Sequence, residues 1–201
     1  MGGAPQEYRH VSISYEGAGT WLSVMSAANN LSSLRRPPSQ VRKYHDWIQE
    51  TRIIHGSVSD YLCKVRLQWQ PLSPQAQLHS TSTFAYNNPI PFVDVEDWKI
   101  LRNDWPYGLE KGITHLVIWS KTPIAVNAET GDLTDHSRAV IQSFIDQVFV
   151  RTLSALADAP DRVLWFKNWA TLQSIRSMEH IHVMVRDVPE EIIKSWVSSG
   201  G

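Results

Sequence analysis

The sequence predicts an α+β fold: a largely antiparallel sheet with flanking helices and an N-terminal helical hairpin. Three observations predict it. The stretch His115 to Lys121 alternates with the period of a strand, setting His115, Val117, Trp119 and Lys121 on one face. His180 to Arg186 does the same, with His180, His182, Met184 and Arg186 opposite Ile181, Val183 and Val185. The helical spacing, by contrast, is grouped before residue 71 and after residue 134, without the regular rhythm of βαβ units.

Residues 1–36 mix Gly, Ser and Asn with scattered apolar residues and read as an extended N-terminal arm, in which Val11, Ile13 and Tyr15 alternate as an edge strand would. Pro37-Pro38-Ser39 ends the arm. Ser39 then caps a helix carrying Val41, Tyr44, Trp47 and Ile48 on one side, closed by Gly56. Ser57 to Asp60 has capping spacing and restarts a helix through Tyr61, Leu62, Val65 and Trp69, ending at Pro71. The basic residues along this hairpin, Arg42, Lys43, Arg52, Lys64 and Arg66, read as a solvated face. Residues 71–94 are rich in Pro, Ser and Asn and read as a long surface loop with the length of a lid.

Asp97 to Asn103 is apolar enough for a strand, and Pro106 and Gly108 enforce the turn after it. The His115 strand follows. Thr134 with Ser137 opens what the pattern makes the longest helix, through Val140, Ile141, Phe144, Val148, Leu153 and Leu156. Val163 to Lys167 is a strand, Asn168 to Ser177 is irregular, and the His180 strand leads to a short last helix begun by Pro189.

The chain has 201 residues, enough for one domain over 37–201 to bury its own core. Nineteen basic and twenty acidic side chains leave a formal charge of -1, which argues against a nucleic-acid or anionic-membrane partner. The single cysteine, Cys63, excludes an intrachain disulfide and fits a reduced compartment as a buried, inert thiol. With neither a membrane-length apolar stretch nor a signal pattern, a soluble cytoplasmic protein is expected. Nine tryptophans in this length point to an aromatic-lined cavity for a small molecule.

The chemistry concentrates at His180 and His182. At i and i+2 of a strand, two imidazoles lie about 7 Å apart, close enough to serve one phosphate, one metal ion or one proton relay. His115 begins a second strand on the corresponding face. Three imidazoles would suit Zn²⁺ or Fe²⁺, but no Asp or Glu takes an obvious fourth position, and strand parity turns Glu179 away, so no metal and no cofactor is expected. Arg176, Arg186 and Lys167 fit surface or snorkelling roles, and His10, His45, His55, His79 and His136 show no pairing spacing. Nucleophile-elbow, phosphate-loop and dinucleotide patterns are missing.

Three blocks carry a resemblance to a known family: Tyr61 to Trp69, Asn103-Asp-Trp-Pro-Tyr-Gly108 with His115-Leu-Val-Ile-Trp119, and Trp165-Phe-Lys-Asn-Trp169 ahead of Glu179-His-Ile-His182. Their order is similar to the fungal family named after the N-acetylglucosamine-induced protein 1, over about residues 37–186. At a greater distance, Asn103 to Lys121 and Ser177 to Met184 resemble the first strand pair and the His-x-His-x-His signature of the histidine-triad superfamily. That resemblance implies a histidine-triad-like sheet in which His182 is the nucleophile toward phosphorus and His180 and His115 are relay and orienting partners. Ser177 and Asn168 would give polar support, and Asn103, Trp105, Trp119, Lys121 and Trp165 would contact the ligand. A homodimer through sheet extension is common in that superfamily, although no residue here demands it.

One departure changes the chemistry expected. Met184 stands where the third histidine would be and cannot donate to a phosphoryl oxygen. Losing one such donor costs about 3 kcal/mol, or 100-fold or more in rate. The expected function is therefore a small-molecule enzyme, either a nucleotide or phosphoester hydrolase or transferase, or an enzyme of fungal metabolism using the pair as general acid and base on an apolar substrate. A non-catalytic binding module is the reading from another class.

Overall fold

A computed structural model describes residues 38–109, 111–168, 175 and 178–198. The predicted arm, and Arg176 and Ser177, lie outside the described residues. The first helix, α1, spans Pro38–His55 and ends where Gly56 takes φ 84°, a left-handed conformation, and donates its N–H to Arg52 O at 3.0 Å. Ser57 caps α2, Val58–Tyr61, by accepting from Asp60 N–H at 2.9 Å. The helix then widens into a π-type segment, Leu62–Leu67, and stops at Gln68, which is left-handed. The hairpin read from the sequence is thus present.

The sheet has order β1-β2-β4-β3 and every pairing is antiparallel. Its strands are β1 Trp98–Arg102, β2 Ile113–Ser120, β3 Val163–Phe166 and β4 Glu179–Arg186. The two long strands lie side by side at the centre, so the residues of their alternating pattern face each other in register. One face of the sheet carries Ile100, Leu116, Ile118, Ile181, Val183 and Val185. It packs on Ile141, Phe144 and Ile145 of α4, Asp135–Ile145, on Phe149 beyond it, and on Ile193 and Trp196 of α5, Glu190–Ser198. This is the main core.

The other face holds two smaller clusters. Leu101, Val117 and Trp119 meet Leu62, Cys63 and Leu67 of the hairpin, while Leu164, Phe166 and Met184 meet Tyr107, Leu109 and Ile113. The histidines stand between them.

Two expectations are corrected. Helix α4 is not the longest: its α-geometry ends at Ile145 and a π-type segment, Asp146–Val150, follows, whereas α1 runs for 18 residues. Nor is the stretch 71–94 a lid over the histidines. It contains one helical turn, α3, Pro74–Gln77, capped by Ser73. Phe84 is buried against Trp69, Phe92 is buried against Phe144, and Asp97 accepts the N–H groups of Asn87 and Asn88, each at 2.8 Å. Those anchors tie the loop to the sheet edge. Among the described residues, none of this stretch lines the histidine cleft.

Gly112 sets the start of β2 against the end of β4. It has φ 91°, its carbonyl accepts from Asp187 N–H at 2.8 Å, and a Cβ there would lie 2.3 Å from Asp187 Oδ1. Gly112→Ala should therefore destabilise the protein by about 1–3 kcal/mol, read as a lower midpoint in chemical denaturation. An unchanged midpoint would mean that the turn tolerates a Cβ.

Candidate functional site

Register assembles the site. Trp119 pairs with His180, Val117 with His182, and His115 with Met184, so His115 and His182 are diagonal neighbours on one face of the two central strands. Their side chains meet, with His115 Nε2 at 2.9 Å from His182 Nδ1. Both rings are buried, as is His180, whose ring stands edge-on to that of His182 at 5.3 Å between centroids.

The dyad is bracketed by two amides. Asn103, just beyond β1, accepts Trp105 N–H on Oδ1 at 2.9 Å, which turns its Nδ2 toward His115, 3.2 Å from Nδ1 and 3.4 Å from Nε2. Asn168, beyond β3, places Nδ2 at 3.0 Å from His182 Nε2 and 3.3 Å from the Tyr107 hydroxyl. With Asn168 as donor, His182 carries its proton on Nδ1 and donates to His115 Nε2; a neutral His115 then carries its own proton on Nδ1, which leaves Asn103 Nδ2–H only His115 Nε2, at 3.4 Å, as an acceptor. Tyr107 stacks on His115 at 5.3 Å and Phe166 on His182 at 5.0 Å, which fixes both ring planes.

His180 behaves differently. Its Nδ1–H donates to Met178 O at 2.9 Å, leaving Nε2 as an acceptor. Burial is the main cause that pushes its pKa down, from the ordinary 6.5 to about 4; the Met178 carbonyl opposes the shift and the Lys167 ammonium adds to it. Lys167 itself is held by Glu179 Oε2 at 3.2 Å. His180 is therefore neutral at neutral pH.

The depressed value ties stability to pH. Between pH 6.5 and 4 the unfolded chain binds a proton that the folded chain does not. The contribution is thus complete above 6.5 and is lost as pH falls to 4, by about 3 kcal/mol in full. His180→Gln should flatten the slope of unfolding free energy across that window. A slope equal to that of the wild type would mean that His180 titrates as it does in solvent.

A cleft of about 710 Å³, its open mouth included, lies between the hairpin and this face of the sheet. The size suits a small molecule. His180, His182, Asn103, Asn168, Trp105 and Trp119 all line it, and His115 stands behind His182. Other expected contacts stand elsewhere. Trp165 pairs in register with Val183 on the opposite face and donates Nε1–H to Gln142 at 2.8 Å. Lys121 lies past the end of β2, its ammonium 5.3 Å from the Trp69 ring centre. Met184 is fully buried beside Leu164 and Phe166. Glu179 has the opposite strand parity to His180 and His182, and its carboxylate pairs with Lys167. Among the described residues, no group of three His, Cys, Asp or Glu side chains is arranged to hold a metal ion.

The sequence reading missed the hairpin's share. Tyr44, Trp47, Leu62 and Arg66 form one wall of the cleft, and Tyr107 supports the dyad. Tyr44 and Trp47 were visible as an i, i+3 aromatic pair, but the packing that lays them over the histidines is tertiary. Arg66 had been assigned to a solvated face.

Residues 20–186 match the family model described as protein of unknown function, DUF3605. Over 193 residues, covering 90% of this chain and 73% of that protein, the sequence is 32% identical to N-acetylglucosamine-induced protein 1 of Candida albicans. It is 26% identical over 159 residues to the uncharacterized protein YPL067C of Saccharomyces cerevisiae, covering 79% of this chain and 73% of that one. The crystal structure of HTC1 shares the fold, with a TM-score of 0.60 over 86% of this chain and 88% of the other, at 24% identity. Among the described residues, no helix is long and apolar enough to cross a membrane.

Proposed function

Since the chain belongs to the DUF3605 family, which brings fungal relatives but no activity, we propose from the site that it is a small-molecule enzyme with a histidine-triad-like centre. Its reaction is hydrolysis or transfer of a phosphoester or nucleotide, with His182 as nucleophile. The observation that carries this reading is the buried pair itself: His182 lines the cleft with Nδ1 2.9 Å from His115 Nε2, and its Nε2 stands 3.0 Å from Asn168 Nδ2, an arrangement that suits a nucleophilic Nε2 backed by a second imidazole. In the first step Nε2 bonds to phosphorus, and the P–O bond to the leaving group breaks. The electron pair departs on the leaving oxygen, which is protonated from solvent. The positive charge that forms on His182 is shared across the hydrogen bond to His115. Water then adds to phosphorus and gives up a proton to solvent, replacing the one taken by the leaving group, while the P–N bond breaks and its pair returns to Nε2. Asn168 Nδ2–H, already beside Nε2, is a neutral donor for a phosphoryl oxygen where Met184 supplies none. The formal charge of -1 and the size of the cleft favour a small molecule over a nucleic acid as partner.

A second reading has its own support. Tyr44, Trp47, Trp105 and Trp119 make the cleft strongly aromatic, and His180 and His182 both stand on its lining. These features suit acid–base chemistry on a non-phosphorylated apolar substrate. A turnover screen of phosphoesters and nucleotides beside matched carboxylic esters and apolar carbonyl compounds separates the two. Turnover of the phosphorus compounds supports the first reading; turnover confined to the others replaces it with the second.

A further inference from the structure

An ion pair joins the two walls of the cleft. Arg66, on the π-type segment that extends α2, pairs through Nη1 with Oδ2 of Asp104 in the turn after β1, and both residues line the cavity. The other arginine on the lining, Arg102, is engaged with Glu190 of α5 at 2.5 Å. Lys99, also beneath the hairpin, donates to Leu67 O at 3.1 Å. Arg66 is thus a guanidinium whose partner also faces the ligand space.

The two members of the pair are unequally buried. The Arg66 side chain is 22% exposed and that of Asp104 is 39% exposed. Releasing the carboxylate to water costs less than stripping the guanidinium of an anion, because the more buried ion loses more solvation and needs a replacement partner. A planar guanidinium also offers two parallel donors to a phosphate or carboxylate. Beside it on the cavity wall stand Tyr44, Trp47 and Trp105, packed on one another with ring centroids 5.4 to 6.0 Å apart.

We propose that Arg66 is the anchor for an anionic group of the ligand, which displaces Asp104, and that the flat apolar body of the same ligand lies against Tyr44, Trp47 and Trp105. The ligand class is an organic anion with an aromatic or similarly planar body. This deepens the functional reading above and rests on the cleft being its ligand site. Arg66 sets specificity; it does no chemistry.

The test is a binding titration with phenyl phosphate, with inorganic phosphate and phenol as partial probes, on the wild type, Arg66→Gln, Arg66→Lys and Asp104→Asn. Phenyl phosphate should bind the wild type, weaken about tenfold or more in Arg66→Gln, and fall between these in Arg66→Lys. Asp104→Asn removes the competing carboxylate and should tighten binding. Phenol alone should be insensitive to Arg66. If Arg66→Gln does not fold, the lysine variant and Asp104→Asn carry the test. Equal affinity across the Arg66 and Asp104 variants, or no binding to the wild type, overturns the proposal. Arg66-dependent binding without turnover of any phosphoester sustains the anchor and removes the phosphoester reading.

Discussion

Replacing His182 with asparagine is expected to lower turnover by about 10³-fold or more while the protein stays folded. The magnitude follows from the proposed role: Nε2 would be the atom that bonds to the substrate, and an amide nitrogen has no comparable lone pair. The change also removes the 2.9 Å contact with His115 inside a buried face, so a stability loss of about 1–3 kcal/mol accompanies it. That loss is too small to mimic the kinetic effect in a protein that remains folded, and a thermal melt of the same sample separates the two. His115→Gln should cost less turnover, because His115 orients and shares charge without touching the substrate. Equal, complete losses at the two positions would mean that the dyad works as one unit.

The second large effect is expected in the main core. Phe149 is fully buried against Trp196 at 4.7 Å and Phe144 at 6.5 Å, on the sheet face away from the cleft. Phe149→Ala should cost about 3–5 kcal/mol through lost transfer energy and the cavity left behind. For a chain of this size the melting temperature should fall by roughly 10 °C. The sheet separates this core from the histidines, so ligand affinity measured well below the new midpoint should be unchanged. Weakened binding in the folded variant would show that the two faces are coupled.

What the sequence revealed, and what it hid, follows one physical division. The two central strands were legible because each face imposes its own residue type every second position: Ile181, Val183 and Val185 are fully buried in the main core, and His180 and His182 share the other face. Most caps were legible because they are local, as Ser57, Gly56 and Thr134 demonstrate, but Ser39, expected to cap the first helix, lies inside it, since α1 already includes Pro38. Register was not. In Val163–Phe166 the sequence offers two aromatic residues, and nothing local in it distinguishes which of them, Trp165 or Phe166, faces the histidines. Pairing of Phe166 with His182 and of Trp165 with Val183 makes Phe166 the ring that stacks on His182.

Tertiary placement was likewise hidden. Lys121 shares the parity of Trp119, but β2 ends at Ser120 and the side chain turns to Trp69. Arg66 looked like one more basic residue on a helix surface, and only the packing of the hairpin on the sheet turns it to a cavity. The amide bracket formed by Asn103 and Asn168 joins residues 65 positions apart, through strand ends that no local pattern relates.

The most direct measurement is a rapid acid-free quench during turnover of a phosphoester, followed by peptide mass spectrometry of the wild type and of His182→Asn. The account predicts a phosphoryl or nucleotidyl adduct on the peptide bearing His182, formed and consumed at the rate of turnover and missing in the variant. Sustained turnover with no adduct, or an adduct on any other residue, would contradict it.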